Sequence, residues 1–343
     1  MWKAMAAALA GAALTATPAA AQARLFAEES EVAFTLNAPF NRLIGGAERS
    51  TDPYPAVLAM GGQSWPLQIA PRGFTRRTGD LCTFPPLRLD FDKPAMAGTL
   101  FHGQNKLKLV TQCRPQANYE QMLVREYTVY RLYNLVTPLS FRVRPARVTY
   151  HDDDGRREDA TRFAFLIEHP DEMAQRSGLK QIELDARRVS SSQIDNEGLV
   201  RFALFQLVIG NLDWEYFAGP VGDTCCHNAK LVGREGQTAG LIPAPYDFDF
   251  SALVDAPYAT PPEGLRVSGP HERYWRGHCR ASAMAPAAAA ALLAQREAFA
   301  AVIAGEARLS AASKREMQRF LDGSFQMLAD PARLTREISA HCR

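Results

Sequence analysis

Gly210-Asn211-Leu212-Asp213-Trp214, Cys225-Cys226-His227-Asn228 and Pro245-Tyr246-Asp247-Phe248-Asp249-Phe250-Ser251 follow one another within a single turn-rich stretch, and its folding decides how the rest of the chain is read. Ala229 to Val232 and Ala239 to Pro243 are short apolar runs separated by Gly233-Arg234-Glu235-Gly236-Gln237-Thr238. Two such runs around a glycine-bearing linker predict a β-hairpin. A centre near Gly236 sets Asn228 roughly opposite Ala244. At about 3.3 Å per residue, Asn228 and Asp247 then leave the open end within about 10 Å of each other. Leu199 to Ile209 is apolar almost all round, which predicts a buried helix, and Gly210-Asn211 stops it just before Asp213. Two carboxylates and an amide oxygen so gathered are hard ligands, suited to a magnesium-bound phosphate group.

Working towards the N-terminus, Leu25 to Glu168 is mostly strand-like. Leu67 to Ala70, Leu87 to Phe91, Lys106 to Thr111, Phe141 to Tyr150 and Arg162 to Glu168 alternate or are rich in β-branched residues between Gly, Pro and Asp clusters. One helix interrupts them. Tyr119 to Val136 sets Tyr119, Met122, Leu123, Glu126, Tyr130 and Tyr133 on one face, with Pro115 ahead of it and Pro138 beyond. Glu126 is a carboxylate on an apolar stripe, so it is either paired or at the stripe's exposed edge. Lys106 and Lys108 alternate with Leu107 and Leu109, which turns both ammonium groups to one side, as partners for Glu126 or as a solvated strand face. His151-Asp152-Asp153-Asp154-Gly155 lacks the spacing of a calcium loop and is an acidic hairpin turn.

Towards the C-terminus the pattern is helical: an alanine-rich helix from about Ala287 to Ile303, then Ala311 to Leu328 capped by Ser310, then Pro331 to Ile338 capped by Asp330. The class is α+β. Met1-Trp2-Lys3, the apolar run Ala4 to Ala16 and small residues at Ala19, Ala21 and Ala23 read as an export signal over residues 1–23, and no membrane anchor follows. The expected product is periplasmic or secreted. A net charge of +2 with scattered arginines argues against nucleic acid or a membrane surface as partner. Six cysteines in an exported chain favour disulfides over thiolate-bound metal. Cys82 is expected to pair with Cys113, and adjacent Cys225 and Cys226 to bond to different partners, Cys279 and Cys342 being the candidates.

A strand lysine, a helix glutamate, a loop aspartate, an asparagine and a second aspartate, in that chain order, are the parts of a phosphoryl-transfer centre. The lysine would sit on the nucleotide phosphates and be held by Glu126. Asp213 would orient the acceptor hydroxyl, and Asn228 with Asp247 would hold the metal. Asp249, alternating with Asp247 across Phe248, is an alternative or additional ligand. Plainer uses exist for each: Asp213 as a turn former or helix-end cap, Asn228 as the cap of the hairpin.

With these residues the chain resembles the CotH-type spore-coat kinases and their exported relatives. The resemblance is carried by Gly210-Asn211-Leu212-Asp213, by His227-Asn228-Ala229-Lys230-Leu231 and by Ile242 to Ser251, with Arg72-Gly73-Phe74 and Pro85-Pro86-Leu87 further upstream. It implies a two-lobed protein-kinase-like fold, with a β-rich N-terminal lobe over residues 24–170 bearing the Glu126 helix. Residues 171–343 would form a mainly helical C-terminal lobe carrying the Asp/Asn site. It further implies ATP with Mg²⁺ or Mn²⁺, a protein hydroxyl as acceptor, Asp213 as the catalytic aspartate and Asn228 with Asp247 as metal ligands. The lysines that the family places after the prolines are absent here, so Lys106, Lys108 and Arg88 are the alternatives for the phosphate cation. Two other functions compete. One is a catalytically inactive kinase-like binding or envelope-assembly protein, which the missing lysine pattern favours. The other is a metal-dependent sugar transferase using Asp247-x-Asp249 on a nucleotide sugar, which leaves Glu126, Asp213 and Asn228 without roles.

Overall fold

The computed structural model describes residues 24–342, so the export signal expected over residues 1–23 lies outside the described residues. In chain order the elements are β1 (Val32–Ala38), α1 (Phe40–Gly46), β2 (Tyr54–Met60), β3 (Gln63–Pro71), β4 (Leu87–Phe91), β5 (Lys106–Thr111) and α2 (Ala117–Asn134). There follow β6 (Val143–Asp152), β7 (Ala160–Ile167), α3 (Pro170–Gln175), β8 (Lys180–Ile182), α4 (Asn196–Ile209), β9 (Ala229–Gly233) and β10 (Ile242–Pro245). Four helices end the chain: α5 (Ala285–Leu293), α6 (Arg296–Gly305), α7 (Ala311–Leu328) and α8 (Pro331–His341). Among the described residues no single helix is long and apolar enough to cross a membrane.

The first seven strands close into a barrel in the order β1-β2-β3-β4-β5-β7-β6. This corrects the expected two-lobed kinase-like fold. The strand that makes the difference is β1, which is absent from the strands expected above. It pairs antiparallel with β2 and parallel with β6, from Val32 opposite Ala146 to Ala38 opposite Asp152, so the sheet has no free edge. Closure also sorts the side chains by parity. Phe34, Leu36, Leu89, Leu107, Leu109 and Val148 fill the interior, while Phe163, Phe165 and Ile167 of β7 point outwards into a second core.

That second core joins the barrel to everything after it. α2 lies on the outer face of β7, with Tyr127 against Phe163 and Phe165 at ring separations of 6.2 and 5.9 Å. It is buried without interruption from Met122 to Tyr130, not along one stripe as its spacing suggested, because the C-terminal helices cover its other side. α4 packs on α5 and α7 and ends at Gly210 in the left-handed region, φ 63°. The expected alanine-rich helix is two helices, α5 and α6, bent by 48°. Ser310 and Asp330 cap α7 and α8 as expected, each accepting a backbone N–H at 3.0 Å.

The hairpin of β9 and β10 forms with a shifted register. Ala244 lies opposite Lys230, and Asn228 instead accepts the Tyr246 N–H at 3.1 Å. A slip of two positions leaves every side chain on its expected face and draws Asp247 closer to Asn228. Cys82 bonds Cys113 as expected. Cys225 and Cys226 bond each other, which corrects the expectation of separate partners, because Cys279 and Cys342 meet at a Cα separation of 4.9 Å and satisfy one another.

Candidate functional site

Three carboxylates converge where α2 meets the turn after β10. Ligand oxygens of Glu126, Asp247 and Asp249 all lie within 4.8 Å of one another. Glu126 and Asp249 are buried, and Asp247 is half-buried. Asp247 is held in the left-handed region at φ 62°, costly for a residue with a Cβ, and its N–H is fixed by a 2.8 Å bond to the Tyr130 hydroxyl on α2. Tyr258 donates to Asp249 Oδ2 at 3.2 Å. The segment Tyr246 to Ser251 is thereby pinned from both sides.

Arg76 sits among the three. Its guanidinium lies 3.7 Å from Glu126, 3.7 Å from Asp247 and 3.4 Å from Asp249. The expected lysine partner of Glu126 is therefore an arginine from the short helical turn Thr75–Arg77, which follows Gly73 at φ 80°. The contacts are electrostatic and longer than the roughly 2.7–2.9 Å of charge-assisted hydrogen bonds. Burial opposes the Arg76 charge, but Asp249, Tyr258, Glu126 and Asp247 outweigh it and hold the guanidinium charged. Burial raises the Glu126 carboxyl well above its ordinary range, with Asp249 and Asp247 adding and Arg76 opposing. Burial likewise pushes Asp249 up to about 6 against the pull of Arg76. Oε1 of Glu126 is buried without a hydrogen-bond partner. Three hard oxygen donors, one of them orphaned, fit a divalent cation.

The expected ligand Asn228 has another partner. It too is left-handed, at φ 52°, and its amide nitrogen donates to the Asp213 backbone carbonyl at 2.8 Å and to Oδ2 at 2.9 Å. The other Asp213 oxygen accepts from His227 Nε2 at 2.8 Å, which raises the His227 pKa. Asn211 Oδ1 accepts the Asp213 N–H at 3.0 Å. Asp213, His227 and Asn228 thus form one hydrogen-bonded group through the Asn228 amide nitrogen, while Glu126 joins Asp247 and Asp249 in the carboxylate cluster.

All three expected phosphate cations line one cleft of about 490 Å³, together with Lys230 and His169 and with the acidic residues Glu168, Asp171 and Glu183. They differ in what they are bound to. Arg88 makes two 2.7 Å bonds to Asp90 and is committed there. Lys106 is exposed. Lys108 lies over the Tyr246 ring at 4.1 Å, and burial with Arg72 and Lys230 lowers its pKa to about 7, Asp247 opposing. Lys108 is thus the cation that links the cleft to the carboxylates. Its neighbour Tyr246 is itself pushed up to about 12 by burial and Asp247.

Arg76, Tyr130, Tyr258 and Lys230 were not picked out as site residues from sequence. Tyr130 carried a signal, since it sits one helical turn from Glu126; Arg76, in a three-residue helical turn, and Tyr258, in a loop, have no period to mark them. No family model matches the chain, and no curated protein matches its sequence.

Proposed function

We propose that the chain is an exported phosphotransferase that uses ATP and Mg²⁺ or Mn²⁺ to phosphorylate a hydroxyl on a protein substrate. The observation that carries this reading is the convergence of Glu126, Asp247 and Asp249 beside a cleft lined by Lys106, Lys108, Arg88 and Lys230. The order of motifs shared with CotH-type proteins also supports it. In this reading the three carboxylates hold the cation, which when bound neutralises phosphate charge. Lys108 and Lys230 receive the nucleotide phosphates, while Arg76 keeps the carboxylates together. Asp213, fixed by His227 and Asn228, faces the acceptor hydroxyl and takes its proton as that oxygen bonds to the γ-phosphorus of ATP and the bond from this phosphorus to the β,γ-bridging oxygen breaks, releasing ADP.

A second reading is favoured by Arg76, whose charge already answers the three carboxylates: a binding protein without catalysis. One experiment separates them. Purified protein is incubated with γ-labelled ATP and Mn²⁺ or Mg²⁺, and label transfer and nucleotide binding are measured for the native chain and Asp247→Ala. The phosphotransferase reading expects metal-dependent transfer that falls about 100-fold or more in the variant. Nucleotide binding without transfer favours the second reading, and the absence of both removes the first.

A further inference from the structure

The mouth of the barrel carries a feature that the site above does not use. On β7 the inward positions are Ala160, Arg162, Ala164 and Leu166, because Arg162 lies opposite Val148 and Ala160 opposite Tyr150, and opposed residues share a face. Val148 and Tyr150 both belong to the interior core. An arginine therefore points inwards near this end of the barrel, as Arg144, opposite Leu166, does near the other. Around it opens a cleft of about 340 Å³, floored by Phe40, Phe84 and Tyr150. The rings are packed together, Phe84 on Tyr150 at 4.6 Å and Phe40 on Tyr150 at 5.5 Å.

Two more arginines, Arg156 and Arg157, reach the rim from the turn between β6 and β7, against two acidic members of the lining, Asp152 and Glu158. That turn is fixed by Asp152, which accepts the N–H groups of Asn41, Arg156 and Arg157 at 2.9, 2.9 and 3.1 Å. The buried carboxylate is spent on backbone, and among the described residues none of the guanidinium groups of Arg156, Arg157 and Arg162 forms an ion pair. The Tyr150 hydroxyl is buried without a hydrogen-bond partner, and Arg162 is close enough to influence its titration. Burial and the nearby Arg157 charge both work against protonated Arg162. A half-buried, uncompensated guanidinium over an aromatic floor lacks a bidentate oxyanion, and barrel mouths are common places for small ligands.

We infer that the barrel mouth binds a small organic anion, its carboxylate or phosphate group held by Arg162 with Arg157 and its apolar part resting on Phe40, Phe84 and Tyr150. The cleft shares no residue with the carboxylate cluster, so the inference stands apart from the phosphotransferase reading. Benzoate and phenyl phosphate, titrated calorimetrically into the native chain and into Arg162→Ala, Arg157→Ala and Asp247→Ala, test it and tell the two anion types apart. At least one probe should bind with Kd below about 1 mM, weaken about tenfold or more in Arg162→Ala and bind Asp247→Ala unchanged. If Arg162→Ala does not fold, Arg157→Ala on the exposed turn must weaken binding instead. Failure of both probes to bind, equal binding by the arginine variants, or loss in Asp247→Ala would overturn the inference.

Discussion

Arg76 balances the carboxylate cluster, and Lys108 sets its border with the cationic cleft. Both are cations placed where burial is costly; Asp249 chiefly offsets that cost for Arg76, and Asp247 opposes it for Lys108. For Lys108 the cost has a pH signature. Its pKa is about 7 in the folded chain, against about 10.4 for an unfolded lysine. Between these values the unfolded chain binds more protons, so this group makes stability rise with pH across that window, and below about pH 7 its burial cost is fully felt. Lys108→Met should therefore melt about 3 °C or more higher at neutral pH and show a flatter rise between neutral pH and pH 10. Parallel melting curves for the two proteins would contradict this. Glu126 and Lys108 could be picked out from sequence because each breaks an apolar pattern at a fixed phase. Arg76 could not, since an arginine in a three-residue helical turn gives no sign of burial, and its three partners are remote in sequence.

At the scale of elements, Gly210 joins α4 to the Asp213 loop, and its place was readable because an apolar run ended in Gly-Asn. A Cβ there would meet the Ala252 Cβ and the Phe320 ring, each at 2.7 Å, in addition to the strain of φ 63°. Gly210→Ala should cost about 1–3 kcal/mol in urea denaturation; a loss under about 0.5 kcal/mol would show that the loop adjusts freely. The hairpin was readable from two apolar runs and a glycine-bearing linker, but its register was not, because several linker pairings suit the same faces. The disulfides divide similarly. Cys82 and Cys113 lie beside neighbouring strands, whereas the meeting of Cys279 and Cys342 depends on helix packing. This second bridge closes a separation of 63 residues, so replacing both cysteines by serine should cost about 4 kcal/mol by loop entropy. An unchanged denaturation midpoint would mean that α8 is held by its packing alone.

At the scale of the whole molecule, one structure is closed and the other is built against it. Strands β2 and β1 are hard to read in the sequence for different reasons. Tyr54–Met60 carries Pro55 in a nearly continuous apolar run, while Val32–Ala38 does alternate but joins β6 more than a hundred residues away, a pairing that no local pattern announces. The resulting barrel offers its outer face to α2, and α2 in turn offers Glu126 to the turn after β10. The carboxylate site is thus a junction between α2 and the turn after β10, both of which belong to the second core, where Tyr130 packs on Phe248 at 4.8 Å.

The claim that this junction is a divalent-cation centre is tested most directly by titrating Mn²⁺ into the protein and following free ion by electron paramagnetic resonance, without nucleotide. One ion should bind per chain, and Glu126→Gln and Asp249→Asn, each confirmed as folded, should weaken it about tenfold or more. No bound Mn²⁺ in the native chain, or equal binding in both variants, would contradict the account.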